Sequence, residues 1–333
     1  MIGRALSRAA WAIAVVWAVV TIAFFVNEVV PSDPARMVAG PQARPAEVAR
    51  IREQLGLDRP VAVRYAIFVT RLVHFGRSDI DAKDPQHATC AAFGPVHVDL
   101  GRSYVQRRPV VTILAERLPR SATLAAAAVV VQMTIGTALG LFAAARRRTA
   151  WDAATIAATL IGASVPTFLT GLLLQYVLAY RLRWLPFDGY GKTTLEQATA
   201  LVLPALTLGL FGAAFATRLV RDEVSAALSL DHARTARAKG ASRLGVLVRH
   251  GLRNALAPIV TVAGIDFGAL VGGAIVVETL FRWPGLGVVS VAALLDRDGP
   301  LVMGTVLVTS VGVVVANLVV DLAYVWLDPR VRA

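Results

Sequence analysis

Six long apolar runs constrain the fold of this chain more than any other feature of its sequence. They cover residues 9–30, 121–145, 153–180, 198–216, 256–280 and 301–327. A helix needs about 20 apolar residues to cross a bilayer, whereas helices of globular proteins average about 11–12 residues. Only 17% of the 333 residues are charged, against about a quarter in a typical soluble domain. The sequence therefore predicts an all-α polytopic membrane protein with about six transmembrane helices.

The distribution of Lys and Arg predicts the orientation of these helices, because cytoplasmic loops carry an excess of both. With the N-terminus inside, 15 of them fall on the inner side and five in the short outer loops. We therefore expect both termini to be cytoplasmic. The first run is longer than the apolar core of a cleaved signal peptide, which has about 7–15 residues. We therefore expect this run to be a retained membrane anchor. Topology accounts for much of the net charge of +12. The basic loops lack the interleaved aromatic residues of nucleic-acid surfaces, so no nucleic-acid partner is expected.

The chain is expected to have three parts. Residues 1–30 hold the N-terminus and the first transmembrane helix, and residues 31–120 form a helical extracytoplasmic loop domain. Residues 121–330 form a five-helix core that contains the cytoplasmic loop 221–254. In the loop domain, Val48, Ile51 and Leu55 share one helix face, with Gly56 as the stop. A second helix follows.

The second helix of the loop domain is indicated by apolar residues at helical spacing. These are Val61, Tyr65, Phe68, Leu72 and Phe75. Such a helix lies on the membrane surface, packs over the mouth of the bundle or docks on its own domain.

Three acidic residues fall inside the apolar runs, where a charge usually faces the bundle interior or a wet path. Asp266 lies near the middle of the fifth run, among small residues. It either lines the solute path or serves as a structural hydrogen-bond partner. Glu278 and Asp321 lie near the ends of their runs, where structural or interface roles are expected.

Candidate metal ligands collect in the polar patch of residues 76–97, which has no helical period. His87, Cys90 and His97 could ligate a transition metal, but their spacing matches no standard site, and a solvated loop is the alternative. The lone cysteine excludes a disulfide within the chain. The segment GYGKTT lacks the first glycine of a phosphate loop, since Pro186 stands there. No nucleotide site, catalytic group or cofactor is therefore expected.

The loop 221–254 combines basic charge with residues that start and end helices. Asp231 is predicted to cap a short Ala-rich helix, Gly240 to end it, and Ser242 to cap the next helix. A loop that only set topology would need no such features. Small side chains beside exposed arginines favour docking into a groove of another protein, with a loop facing phospholipid as the alternative.

Residues 233–264, ARTARAKGASRLGVLVRHGLRNALAPIVTVAG, resemble the signature loop of bacterial ABC importer permeases of the dipeptide/oligopeptide permease B family. The similarity continues through PSDPAR, QLGLDRP, DLGRSY, ERLPRS, VVETLFRWPGLG and NLVVDLAYVWLDPRVR, so it covers nearly the whole chain. In the general signature of such permeases, Glu and Ala stand where this chain has Arg234 and Thr235, and Pro stands at Arg253. The polar patch 76–97 looks like an insertion relative to the family.

The resemblance implies the type I ABC importer permease fold and a specific assembly in the bacterial inner (plasma) membrane. The chain would pair with a second, homologous permease and with two ATPase subunits that hydrolyse ATP, while an extracytoplasmic binding protein delivers peptides. Docking on the ATPase is assigned to Ala233, Arg234, Thr235, Ala236, Arg237, Ala238, Lys239 and Gly240. The family pattern also serves glutathione-like molecules and nickel complexes, so the cargo stays open. A self-sufficient secondary transporter that uses Asp266 is the rival class.

Overall fold

The computed structural model describes residues 2–29, 34–40, 42–75, 89–93 and 95–327. Within these ranges, five helices are long and apolar enough to cross a membrane, and a helix pair bent by 97° is a sixth candidate. The prediction of an all-α polytopic membrane protein with about six transmembrane helices is confirmed. A small three-stranded sheet, which the sequence did not indicate, is added to it.

The elements follow one another in a fixed order along the chain. They are α1 (Ile2–Val29), α2 (Pro34–Ala39), α3 (Pro45–Gln54), α4 (Val61–Leu72), β1 (Val73–Phe75), β2 (Cys90–Phe93), β3 (Val96–Asp99), α5 (Val110–Ala145), α6 (Ala150–Ser164), α7 (Thr167–Leu174), α8 (Thr194–Ala227), α9 (Asp231–Ala238), α10 (Arg243–Val246), α11 (Arg253–Val271), α12 (Ile275–Leu280), α13 (Leu286–Leu295) and α14 (Gly299–Leu327). Wider π-helical turns extend α7 over Gln175–Arg181 and join α10 to α11 over Leu247–Leu252.

The chain divides into two compact units. Unit 1 comprises Met1–Pro119 and Gly285–Val311, and unit 2 comprises Arg120–Pro284 and Gly312–Ala333. Helices α5 and α14 each contribute one part to each unit. The division into residues 1–30, 31–120 and 121–330 was drawn along the membrane topology and stays a prediction.

In unit 1, α4 is anchored on α1 through aromatic side chains. The Tyr65 and Phe68 rings lie 5.3 and 5.4 Å from the Phe24 ring, and Arg64 Nη1 donates to Glu28 Oε2 at 2.6 Å. The structure therefore shows α4 docked on α1, and the choice between the placements predicted for this helix stays a prediction. The helix ends at Leu72, so the prediction that Phe75 extends it was wrong.

The sheet of unit 1 is antiparallel, with the order β1-β3-β2. It pairs His74 with His97 and Cys90 with Asp99. Its strands have only three or four residues, too few for a clear alternating pattern in the sequence. Part of the patch expected to lack regular structure is thus a pair of strands.

Asp298 ties the loop before α5 to the start of α14 in unit 1. Its carboxylate is 1% exposed and accepts from the Ser103 hydroxyl and from the backbone N–H groups of Tyr104 and Val105 at 3.1 and 3.2 Å. A buried carboxylate with several donors is stable only where such partners are held in place. Asp298 therefore fixes the DLGRSY segment against α14.

In unit 2, the three prolines of the apolar runs have different effects. Pro166 stands at the bend between α6 and α7, because the residue before a proline is pushed to extended backbone. Pro204 and Pro258 lie inside the continuous helices α8 and α11. The third run is therefore a bent pair rather than the single helix that was predicted.

The fifth apolar run is also interrupted. Helix α11 ends at Val271, and α12 begins at Ile275. Between them Gly273 adopts a φ of 119°, a conformation that only glycine adopts readily. The expectation of one helix over 256–280 was wrong. Two adjacent glycines hardly change the mean hydropathy of an apolar run of this length, so the break is not visible in the hydropathy.

Helices α5 and α8 approach closely because glycines line their contact. A Cβ at Gly136 would lie 2.4 Å from Ala216 Cβ, and one at Gly140 would lie 2.8 Å from the Thr217 carbonyl oxygen. The two glycines form a Gly-x-x-x-Gly pattern, and such small residues let helix backbones meet in membranes. The backbone atoms at this contact leave no room for a larger side chain.

We predict that Gly140→Val destabilises the protein by about 1–3 kcal/mol, the usual range for overpacking a tight contact. The measurement is the thermal unfolding midpoint of the detergent-solubilised protein. Gly162→Val is the matched control, because this glycine is also helical and a Cβ there would meet nothing within 4 Å. Equal midpoints for the two variants would contradict a tight α5–α8 contact.

Candidate coupling surface and transport path

The α9 helix and the turn after it form the predicted docking segment. At its C-terminus, the Gly240 N–H donates to the Arg237 carbonyl at 3.0 Å and the Ala241 N–H to the Ala236 carbonyl at 3.1 Å. Gly240 has a φ of 82°, so this is a Schellman ending. The Ser242 hydroxyl then accepts from the Gly245 N–H at 3.1 Å. The helix, glycine turn and second helix predicted here are confirmed.

The cap at the start of α9 differs from the prediction. Leu230 occupies the cap position and makes no side-chain cap bond. Asp231 is instead the first helical residue. Its carboxylate still lies at the positive end of the helix dipole, and it meets Arg234 Nη1 at 3.6 Å. The prediction of Asp231 as the capping residue was wrong by one position, an error typical of helix ends.

The eight predicted docking residues divide by exposure into two groups. Ala233 is fully buried and Ala236 is half-buried, so these two seat the helix on its own unit. Ala233 has no surface left for another protein, which corrects its assignment as a contact residue. The other six are exposed: Arg234, Thr235, Arg237, Ala238, Lys239 and Gly240.

Arg237 links α9 to the end of α8. Its Nη2 atom donates to the Leu228 carbonyl at 2.6 Å. Leu228 is the C-cap of α8, where carbonyls lack helical partners and a cation suits the dipole. Arg237 therefore fastens the short helix to the long one. The other exposed basic residues of this segment are Arg234 of α9 and Lys239, its C-cap residue.

A second contact fastens α9 to the π-helical turn before α11. The His232 and His250 rings lie 5.8 Å apart, and Asn254 Nδ2 lies 3.4 Å from His232 Nε2. Asn254 Nδ2 also donates to the His250 carbonyl at 2.9 Å. Helix α9 is thus held by the end of α8 on one side and by the π-helical turn and α11 on the other.

Asp266, the candidate path residue, has a partner that the sequence reasoning missed. Gln132 Nε2 of α5 donates to Asp266 Oδ2 of α11. Gln132 is 3% exposed, and its side chain occupies the space beside Gly212 of α8. Asp266 itself is half-buried. The sequence did contain a signal for this contact, because Gln132 is a lone amide in an apolar run and lies close to a Gly-x-x-x-Gly pattern.

Of the other two acids in the apolar runs, the structure describes the side chain of Glu278 but not that of Asp321. Glu278 is fully buried and accepts from the Ser121 hydroxyl at 2.9 Å. Nearby, Trp283 Nε1 donates to the Arg120 carbonyl at 3.0 Å. Both contacts join the α12 region to α5, which is the structural role expected for Glu278. The Asp321 side chain lies outside the described residues.

The candidate metal ligands are only partly described, since His87 lies outside the described residues. Cys90 Sγ lies 3.7 Å from His74 Nε2, and the His74 and His97 rings are 5.5 Å apart. Burial, with the nearby Asp99 carboxylate, raises the pKa of the Cys90 thiol and so disfavours the thiolate that binds metals. Among the described residues, no three His, Cys, Asp or Glu side chains form a group that could hold a metal ion.

Family comparisons cover both parts of the chain. Residues 136–333 match the family model of the binding-protein-dependent transport system inner membrane component. Residues 1–125 match the model of the N-terminal part of such membrane components.

Three relatives match over almost the full length. A Brucella abortus protein, provisionally named a peptide transport system permease, is 37% identical over 98% of both chains. A Sinorhizobium fredii protein, provisionally named a peptide ABC transporter permease, is also 37% identical over 98% of both chains. A glutathione transport system permease protein of Salmonella typhi is 35% identical over 100% of this chain and 99% of its own.

A solved structure shares the fold. In an inward-facing conformation of the MetNI methionine ABC transporter, one chain aligns with a TM-score of 0.54 and 18% identity, over 66% of this chain and 98% of its own. The family match covers more than half of the chain, and the relatives match at full length. The chain belongs to the binding-protein-dependent transport system inner membrane components, the membrane-spanning permeases of ABC importers.

Proposed function

We propose that this chain is one of two homologous permease subunits that form a path for peptides across the bacterial inner membrane. Membership among the ABC importer permeases implies ATPase and substrate-binding partners. In the proposed assembly, two ATPase subunits bind the cytoplasmic face and a binding protein delivers the solute from outside. The chain itself performs no hydrolysis. Its N- and C-termini lie in the cytoplasm.

The observation that carries the proposal is the attachment of α9. Its buried face rests on its own unit, Arg237 fastens it to the end of α8, and Arg234 and Lys239 face outward. Arg234 is 71% exposed, and its ion pair with Asp231 spans 3.6 Å, so that pair contributes little. These two cations are available to acidic groups of an ATPase groove, and movement of α9 is passed to α8.

The names of the relatives support a peptide-type cargo. Two are named for peptide transport and one for glutathione transport. Glutathione is itself a tripeptide, so both names describe small, amide-linked solutes with charged ends. A partly accessible carboxylate such as Asp266 suits the positive charge on such a solute.

The docking assignment predicts that the double variant Arg234→Glu/Lys239→Glu fails to bind the ATPase subunits. Like charges placed across an interface cost several kcal/mol, so we expect ATP-driven uptake to fall by more than about 10-fold. The readouts are co-purification with the ATPase and uptake into reconstituted vesicles.

The control for this variant is Arg181→Glu/Arg183→Glu, in which Arg181 ends the π-helical extension of α7 and Arg183 follows it. The proposed topology puts both arginines outside. The control makes the same change of charge and should keep ATPase binding. If Arg234→Glu/Lys239→Glu still bound the ATPase and showed wild-type uptake, the assignment of α9 as the docking element would be wrong.

The path assignment predicts that Asp266→Asn lowers uptake of cationic peptides about fivefold more than uptake of neutral ones. This ratio corresponds to about 1 kcal/mol of attraction between unit charges about 4 Å apart in water. Asn keeps an acceptor oxygen for Gln132, so the fold should be retained. Asp296→Asn, at an exposed carboxylate, is the control for a general charge effect. Equal losses for both peptide classes would assign Asp266 a structural role only.

A further inference from the structure

A groove of about 650 Å³ opens in unit 2 between α6 and the last turns of α8. Its floor is an apolar face of α6, made by Ala153, Ile156, Ala157 and Leu160. These residues follow the helical spacing of one face, and the smaller ones are exposed. The floor residues are all small or aliphatic, which suits a hydrocarbon chain.

One end of the groove is cationic. Arg148, Arg218 and Arg221 line it together with Asp152 and Asp222. Both acids are engaged by Arg221: its Nη2 lies 2.8 Å from Asp152 Oδ2 and its Nη1 lies 2.6 Å from Asp222 Oδ1. Within the described part of the chain, Arg148 and Arg218 have no carboxylate within ion-pair distance. This end of the groove thus carries three positive and two negative charges, a formal net charge of +1, and Arg148 and Arg218 are the two cations outside the Arg221 network.

Asp152 holds this end of the groove in shape. Besides binding Arg221, its Oδ2 accepts from the Arg148 backbone N–H at 3.0 Å. Arg148 has a φ of 66°, which is unusual for a residue with a side chain. The buried Asp152 carboxylate fixes both the turn at Arg148 and the guanidinium of Arg221. A ligand that binds here therefore loses little free energy in ordering this turn.

Aromatic side chains beside the cationic end indicate that it lies at the depth of the lipid headgroups. Trp151 is 62% exposed, and the Arg146 guanidinium lies 4.5 Å from the Phe142 ring centre and 5.6 Å from that of Trp151. Exposed Trp residues beside arginines are typical of the membrane interface. The apolar floor then runs from this interface toward the bilayer interior.

We propose that this groove binds one anionic phospholipid. Its phosphodiester lies against Arg148 and Arg218, since guanidinium groups are well matched to phosphate oxygens, and one acyl chain lies along the α6 floor. Basic pockets between transmembrane helices bind anionic headgroups in this way. A protein segment in the same place would need both an apolar stripe and an acidic end at headgroup depth.

The first test measures how much phosphatidylglycerol the full chain retains after purification from mixed phosphatidylglycerol and phosphatidylcholine nanodiscs, by native mass spectrometry. Arg148→Gln/Arg218→Gln should retain roughly 30-fold less lipid, in line with the contribution of two cations near a membrane surface. Arg243→Gln/Arg249→Gln removes the same charge from exposed positions nearby in the chain and should retain wild-type amounts. Equal retention in the two double variants would overturn the site.

A second variant covers the case in which the arginine variant does not fold. Ala157→Trp fills the apolar floor and leaves every charge in place, so it should also lose the lipid. Unchanged retention in this variant would show that charge alone attracts lipid and would overturn the groove as the site.

A photo-reactive probe on Ala157→Cys, in a Cys90→Ser background, identifies the occupant in intact membranes. The proposal predicts adducts with phospholipid. Adducts with another protein chain would mean that a partner subunit covers the groove, and would overturn the proposal.

Discussion

The close contact between α5 and α8 is the interaction on which the rest of unit 2 depends. Gly136 and Gly140 bring the α5 backbone against Ala216, Thr217 and Val220, and lipid offers no hydrophobic drive that could replace such packing. The same approach carries Gln132 toward α8 and α11, where it meets Asp266. The glycine contact thus accompanies the hydrogen bond that joins α5 to Asp266, which lies in the last part of α11.

Because α8 is held so tightly, it can transmit movement along its length. It extends for 34 residues as one helix, and its last carbonyls receive the Arg237 guanidinium of α9. The α5 contacts lie along the middle and C-terminal half of α8, from Gly209 to Val220, and the α9 contact lies just beyond them at Leu228. Under the proposed function, a movement of α9 would therefore reach α8 close to the place where α8 packs on α5.

Several features could be predicted from the sequence because they depend on local chemistry. The apolar runs, Gly240 as a helix stop and Ser242 as a cap follow from length, backbone freedom and hydrogen bonding near each residue. Features that depend on distant residues could not be predicted. The bond from Arg237 to Leu228, the contact of Gln132 with Asp266 and the buried carboxylate of Asp298 join residues whose proximity only the fold creates. The breaks near Pro166 and Gly273 were missed because hydropathy continues through them.

Cross-linking at Arg234 tests the central claim, that α9 joins this permease to its ATPase, most directly. A cysteine-reactive cross-linker of short span would be applied to membranes that contain the complete importer, with Arg234→Cys in a Cys90→Ser background and Arg183→Cys as the reference. The account predicts a cross-linked species with the ATPase subunit from Arg234→Cys, and none from Arg183→Cys. No ATPase adduct from Arg234→Cys, or equal adducts from both positions, would contradict it.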